Sequence, residues 1–354
     1  MTPSLPLLAV TLLAAGLVRG PGPAVPPSPG PVTGSVQDPV ADVVEHVADH
    51  TAEPYWTPQR MARAVPIGLL AGLQKITALP PPVLAPGSAR PAVRTGTSET
   101  GTTGTTGATD TTAGATRTRQ AAVMPPVTTS GTHWAAGGSV TRTTGRVFLT
   151  MNGVDFVCSA SAVRSANRDV VVTAGHCVKD GSGAWAENWT FVPGYDQGRQ
   201  PYGAFPARRM FVAGPWSRSG NDDYDVGMVA VDDQDGRHLT DVVGGQPLGF
   251  DTPQGRRTYG FGFPADPPYD GERLLYCAGV PHGDPQGQTR DQGLRCDLTA
   301  GASGGPWLSG FDPGSGRGTL TSVSSFKYSN DQRTMYGPYF GSAVRDLFRG
   351  AEQA

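Results

Sequence analysis

The feature that most restricts the fold of this chain is a change in character near Ser130, after which short apolar runs alternate with turn residues. Two such runs, at 146–151 and 154–158, flank Asn152-Gly153, the dipeptide most typical of a two-residue β-hairpin. Further strands are predicted at 169–173, 226–231, 257–262 and 320–328, and a short helix at 342–348. Short strands separated by turn residues predict an all-β sandwich or barrel for residues 130–354.

The N-terminal region has a different composition. Residues 5–18 form an apolar run that is shorter than the roughly 20 residues needed to span a bilayer, and its length is typical of the core of a signal peptide. We therefore predict a signal peptide at 1–20 and an exported protein; the alternative is a buried strand or helix. No other apolar run approaches membrane-spanning length, so no membrane contact is expected once the signal is removed.

Residues 21–129 are predicted to be largely disordered. The stretch 21–94 is interpreted as a pro-segment, with an inert linker as the alternative, and the Thr/Gly-rich stretch 95–129 as a flexible linker. Within the pro-segment, residues 40–47 have helical spacing, and Thr57-Pro58 has the pattern of a helix start. Residues before about 130 are expected to be absent from the mature protein.

Charge and cysteine content exclude some classes of function. The net charge is -2 and no basic patch stands out, which argues against nucleic acid as a partner. The four cysteines are an even number in a chain predicted to be exported, so two disulfides are expected, with three possible connectivities. Closely spaced metal-binding pairs such as C-x-x-C are absent, so neither a metal nor another cofactor is expected.

Two short strings carry the chemistry. His176 lies in Thr-Ala-Gly-His-Cys, directly after a predicted strand, and Ser303 lies in Gly-Ala-Ser-Gly-Gly-Pro. Nucleophilic acyl transfer needs a hydroxyl, an imidazole to take its proton, and N–H groups to hold an oxyanion. We predict Ser303 as the nucleophile, His176 as the base, and the N–H groups of Gly301 and Ser303 as the oxyanion hole.

A carboxylate that orients the imidazole is expected between the two strings. Asp225 directly precedes the apolar run at 226–231, where it can be shielded from water, whereas Asp222 and Asp223 are expected to face solvent. Asp225 is therefore the predicted acid, with the other two as rivals. The simpler alternatives are a serine in an ordinary glycine-rich turn and a histidine without catalytic function.

In these strings, and in the order His, Asp, Ser, the chain resembles the chymotrypsin-like (trypsin-fold) serine peptidases, especially the secreted bacterial members, over about 130–350. The resemblance implies a double antiparallel β-barrel with a short C-terminal helix. It also implies a monomeric, secreted serine endopeptidase that acts on proteins or peptides. Members of the resembled family have a disulfide between the strand before the catalytic histidine and the residue just after that histidine. The resemblance therefore favours the pairs Cys158–Cys177 and Cys277–Cys296.

The resemblance leaves the substrate preference open. Counting six residues back from Ser303 reaches Asp297, the position that selects Lys or Arg in trypsin-like members, and Ser325 and Gly337 complete the expected specificity pocket. Cys296 lies seven residues before Ser303 rather than four, so the pocket loop departs from that pattern. The strand at 321–326 has no histidine, unlike glutamate-specific relatives.

Activation by a new N-terminal amine is not expected. Ala302 stands where pancreatic-type zymogens have the Asp that pairs with that amine.

Two other functions remain open. One is a catalytically silent binding protein with the same fold. The other is an esterase of the α/β-hydrolase class, which uses the order Ser, Asp, His and needs more helices than this sequence predicts.

Overall fold

The computed structural model describes residues 42–49, 55–68 and 127–354. These residues belong to one compact unit, Asp38–Ala354. The predicted signal peptide, most of the predicted pro-segment and all but the last residues of the predicted linker lie outside the described residues. Among the described residues, no helix combines the length and apolar character needed to cross a membrane.

The described part of the chain is built mainly from short strands. They are β1 Val43–Val47, β2 Val65–Pro66, β3 Thr128–His133, β4 Thr144–Met151, β5 Val154–Ala162, β6 Val170–Thr173, β7 Glu187–Pro193, β8 Phe205–Ala213, β9 Gly227–Val231, β10 Thr258–Gly262, β11 Leu275–Gly279, β12 His282–Gly283, β13 Gln292–Arg295, β14 Pro306–Asp312, β15 Arg317–Val323, β16 Phe326–Tyr328 and β17 Asp331–Gly337. The helices are α1 Pro58–Met61, α2 Ser139–Thr143, α3 Gly214–Ser219, α4 Leu239–Val243 and α5 Ser342–Ala351. Two 3₁₀ turns cover Gly175–Cys177 and Asp222–Tyr224.

The first half of the folded region is a closed antiparallel barrel. Its strands run in the order β7-β4-β5-β6-β9-β8, and pairing of β8 with β7 closes the ring. The predicted hairpin is present: Met151 pairs with Val154, and Asn152 and Gly153 have φ of 52° and 76°, as a tight turn between twisted strands requires.

The second half consists of two antiparallel sheets, in the orders β15-β14-β10-β11-β3 and β12-β13-β17-β16. Its core is aromatic: the Trp134 ring makes edge contacts with Phe261, Tyr276 and Phe311, each at 5.4 Å between ring centroids. The predicted all-β, trypsin-like architecture with a short C-terminal helix is confirmed. The predicted strand at 320–328 is divided into β15 and β16 by two serines.

The helix predicted at 40–47 is wrong, because Val43–Val47 is a strand that pairs with β8. Its three valines suit a strand, and its apolar spacing is compatible with either structure. The helix start at Thr57 is confirmed: the Thr57 side chain accepts a hydrogen bond from the Arg60 N–H at 3.2 Å. The boundary predicted at 130 falls inside β3, which begins at Thr128.

Candidate active site

His176 and Asp225 are joined by two hydrogen bonds. His176 Nδ1 lies 2.7 Å from Asp225 Oδ2, and the His176 backbone N–H donates to Asp225 Oδ1 at 2.7 Å. A methyl group on Gly175 would lie 2.9 Å from Asp225 Oδ1, so the missing side chain at Gly175 allows the carboxylate to approach the backbone. The carboxylate therefore fixes both the position and the ring orientation of His176, and leaves Nε2 as the ring atom for chemistry.

The sequence alone did not assign a partner to Ser325. Ser325 was predicted at the specificity pocket, but its hydroxyl donates a hydrogen bond to Asp225 Oδ2. Asp225 is 2 % exposed, and a buried carboxylate needs such donors to remain charged. Ser325 thus lies beside the buried acid, and its place in the specificity pocket stays a prediction. The hydrogen bond crosses from the second half of the fold to the first.

The two rival carboxylates have other contacts. Asp223 accepts hydrogen bonds from the backbone N–H and the side chain of Arg290. Asp222 is half-buried and contributes only its charge to the environment of His176. Of the three acids, Asp225 alone is hydrogen bonded to His176.

Two disulfides join the predicted pairs. Cys158 is bonded to Cys177, and Cys277 to Cys296, each over a sequence separation of 19. The first disulfide links β5 to the residue after His176. It therefore limits the movement of the turn that carries the imidazole.

Ser303 lies on a tightly packed loop. Gly301 and Gly304 have φ of 92° and 77°, in the left-handed region that favours glycine. A methyl group on Gly304 would lie 2.4 Å from the Ser159 carbonyl oxygen, so β5 and the loop are in contact here. The Ser159 N–H donates to the Ser303 carbonyl at 2.7 Å, and the Gly304 N–H donates to the Ser324 carbonyl at 2.7 Å.

The N–H groups of Gly301 and Ser303 are available as donors. In a trans peptide the C=O and N–H point in opposite directions. The carbonyl preceding Gly301 accepts from the Ala265 N–H at 2.7 Å, and the carbonyl preceding Ser303 accepts from the Gly305 N–H at 2.9 Å. Both N–H groups therefore face away from these contacts, and neither has an acceptor in the part of the chain that the structure describes. Two preorganised donors of this kind can stabilise an oxyanion.

Ser303 Oγ and His176 Nε2 are both buried and have no hydrogen-bond partner among the described residues. A catalytic hydrogen bond would join these two atoms, and the structure does not record one. Such hydrogen bonds are often long in the absence of substrate and shorten in the reacting complex.

The charges around His176 favour its protonated form. Burial acts against the imidazolium, but the Asp225 carboxylate, followed by those of Asp222 and Asp180, raises the pKa of His176 above its ordinary value. Burial raises the pKa of Asp222 to about 6, with a further contribution from the charge of Asp225. Burial also opposes ionisation of Asp225, but the charge and hydrogen bonds of His176 and the Ser325 hydroxyl hold its pKa below its ordinary value.

The other predicted pocket residues have structural contacts. Asp297 Oδ1 accepts hydrogen bonds from the Gly131 N–H and the Tyr269 hydroxyl, both at 2.7 Å, and so ties β3 to the second half of the fold. These contacts favour a structural role for Asp297 over direct contact with substrate. Gly337 is required by close packing, because a methyl group there would lie 2.0 Å from the Val323 carbonyl oxygen.

Lys327 is a buried charged residue that sequence reasoning missed. It is 3 % exposed, and its ammonium donates to the carbonyls of Cys296 at 3.0 Å and Gln332 at 2.6 Å. Burial lowers its pKa to about 8. No local sequence signal distinguished this lysine: Gln332 lies on the neighbouring strand β17, and Cys296 is 31 residues away in the sequence.

Possible metal ligands cluster at the same place. Among the described residues, the side chains of Cys158, His176 and Cys177 offer donor atoms within 4.8 Å of one another. Both sulfur atoms belong to the disulfide, and His176 Nδ1 faces Asp225. This donor set does not fit a metal ion.

Comparisons with known proteins show which solved structures this chain is similar to. No family model matches the chain. The protease Anisep from Arthrobacter nicotinovorans is 38% identical, with a TM-score of 0.58 over 60% of this chain and 96% of Anisep. The thermostable serine protease AL20 from an extremophilic microorganism is 35% identical, with a TM-score of 0.58 over 61% of this chain and 99% of AL20.

Two further matches give weaker support for the family of this chain. A Glu endopeptidase solved with MPD is 18% identical, with a TM-score of 0.51 over 63% of this chain and 97% of that one, and supports the fold alone. A curated protein named extracellular metalloprotease, from Bacillus subtilis (strain 168), is 30% identical over 100 residues, which are 28% of this chain. The match spans about a third (32%) of that relative's length.

From the fold and its similarity to Anisep and AL20, this chain belongs to the chymotrypsin-like, trypsin-fold serine proteases.

Proposed function

We propose that the protein is a secreted serine endopeptidase that hydrolyses peptide bonds through an acyl-enzyme formed on Ser303. His176 acts as general base and then general acid, and Asp225 orients and stabilises it. The N–H groups of Gly301 and Ser303 bind the oxyanion. The observation that carries this proposal is the double hydrogen bond between His176 and a buried Asp225, which leaves Nε2 as the ring atom able to accept a proton.

The proposed reaction has two stages. Ser303 Oγ attacks the scissile carbonyl carbon while His176 Nε2 takes the hydroxyl proton, and the two N–H donors hold the developing oxyanion. The imidazolium, stabilised by Asp225, then gives its proton to the leaving amine as the C–N bond breaks. Water attacks the resulting ester by the same route, which releases the carboxylate product and restores the serine.

Secretion is part of the proposal. Disulfides form and persist in oxidising compartments outside the cytosol, and this chain has two. The curated relative from Bacillus subtilis is named extracellular. Protein or peptide substrates are proposed from the activity named for Anisep and AL20.

The test is labelling of the purified protein with a fluorophosphonate probe, followed by assays on casein and on a short-chain ester. We expect the probe to label Ser303 and casein to be cleaved. A protein that takes up no probe would instead be the catalytically silent alternative. A labelled protein that hydrolyses only the ester would be the esterase.

The charges near His176 predict a pH effect. Catalysis needs neutral His176, so kcat/KM should rise with pH through a pKa that its acidic neighbours raise. Asp222→Asn removes one of those negative charges, so the pKa of His176 should fall and the acidic limb of the profile should move to lower pH. The exposed Asp235→Asn is the control and should leave the limb in place. A limb that moves to higher pH, or does not move, would contradict the electrostatic argument.

A further inference from the structure

The barrel strand β8 has an edge that the barrel itself leaves open. Residues 209–212 of β8 pair with β9 along one edge. On the opposite edge, β7 pairs only with Phe205 and Pro206. The rest of that edge would expose unpaired N–H and C=O groups, which proteins usually cover.

β1 fills this gap. It pairs with β8 from Val43 opposite Ala213 to Val47 opposite Arg209. The ladder continues at both ends, because the Gly214 N–H donates to the Asp42 carbonyl and the Ala48 N–H donates to the Arg208 carbonyl.

Side chains add to the β1 contact. The Asp42 carboxylate accepts two hydrogen bonds from Arg218, at 2.7 and 2.8 Å. The His46 ring stacks on Trp185 at 5.1 Å between centroids. Val44 packs against the buried cluster inside the first barrel. The strand is thus held by backbone, charge and apolar contacts together.

A second gap is filled by residues 55–68. β2 pairs in parallel with β5 at Phe156 and Val157, where the other edge of β5 is bonded to β4. Trp56 Nε1 donates to the Asn188 carbonyl at 2.6 Å, and its ring contacts Phe148. Met61 is 7 % exposed and belongs to the hydrophobic core.

We propose that residues 42–49 and 55–68 are an integral part of the first barrel and stay bound to it after the chain is cut anywhere between 69 and 126. The partner of the two open edges is thus a segment of the same chain, held without a covalent link. This differs from the expectation that everything before about 130 is lost. Anisep and AL20 match 60% and 61% of this chain. That share is smaller than the share of the chain that the structure describes, so these matches do not cover all of the described residues. The test is therefore made on this protein.

The test uses the full chain carrying Ser303→Ala, so that the result does not depend on the proposed catalytic activity. A recognition sequence for a site-specific protease is inserted after Gly104, and the purified protein is cut there. Gel filtration at micromolar concentration, followed by denaturing mass spectrometry, reports which fragments travel together. We expect the N-terminal fragment to elute with the barrel domain and to separate only after denaturation. Separation under native conditions would overturn the proposal.

Variants test which contacts hold the fragment. Val44→Pro with Trp56→Ala removes a strand donor and the indole contacts, so the cut protein should lose the fragment. Gln59→Ala, an exposed residue of α1, is the matched control and should retain it. Equal retention in the double variant and the control would overturn the assignment of these contacts. If the double variant does not fold, the cut parent alone decides the result.

Discussion

Ser303→Ala is expected to lower kcat for peptide hydrolysis by a factor on the order of 10⁴ or more, with little change in folding. The substitution removes the attacking oxygen, and Ser303 Oγ has no hydrogen-bond partner among the described residues whose loss would destabilise the protein. His176→Ala and Asp225→Asn should each cause a loss of similar order. The measurement is kcat and KM on a peptide substrate, with thermal unfolding of each variant as a check on folding.

Combinations of these variants sharpen the test. When residues act as one catalytic unit, replacing two of them lowers kcat little more than replacing one. The kcat of the double variant Ser303→Ala with His176→Ala should therefore resemble that of either single variant. Asp223→Asn is the control for Asp225→Asn, because Asp223 binds Arg290 instead of His176. Near-full activity of Asp225→Asn, with a large loss in Asp223→Asn, would show that the acid is wrongly assigned.

Asp291→Asn is expected to stabilise the protein at neutral pH. Asp291 is 1 % exposed, and neither carboxylate oxygen has a hydrogen-bond partner among the described residues. Burial, together with the charges of Asp223, Asp225, Asp222 and Asp284, raises its pKa to about 9. The folded protein therefore keeps a proton on Asp291 that the unfolded chain releases above about pH 4.

The sign of the effect follows from this difference in proton binding. Between about pH 4 and 9 the folded state binds the extra proton, so Asp291 makes the free energy of unfolding fall as pH rises. Asparagine is neutral in both states and has no such cost. The expected gain at pH 7 is on the order of 4 kcal/mol, and it should vanish at about pH 4.

Urea unfolding in a Ser303→Ala background at both pH values measures the effect of Asp291→Asn. The exposed Asp235→Asn is the control and should change stability little at either pH. An Asp291→Asn variant that gains nothing at pH 7, or gains equally at both pH values, would contradict the buried-proton explanation.

Most of the structural features that could be predicted from the sequence depend on short local patterns. Asn152-Gly153 fixes a hairpin because two adjacent residues with positive φ are enough to define that turn. The glycines around Ser303 likewise mark a loop whose backbone only small residues can adopt. Thr57 before Pro58 predicted a helix start because the cap bonds to a residue only three positions away.

The sequence by itself determined the all-β class and the hairpin, and it predicted the three residues proposed for catalysis, because each depends on a short pattern of residue types. The tertiary structure alone decided that Ser325 bonds to Asp225, that Lys327 lies buried, and that Val43–Val47 is a strand. Each case depends on a partner far away in the sequence: Ser325 and Asp225 are 100 residues apart, Lys327 and Cys296 are 31 residues apart, and β1 depends on the open edge of β8. A strand's backbone groups are satisfied by a neighbour rather than by the strand itself, so its local sequence cannot specify the pairing.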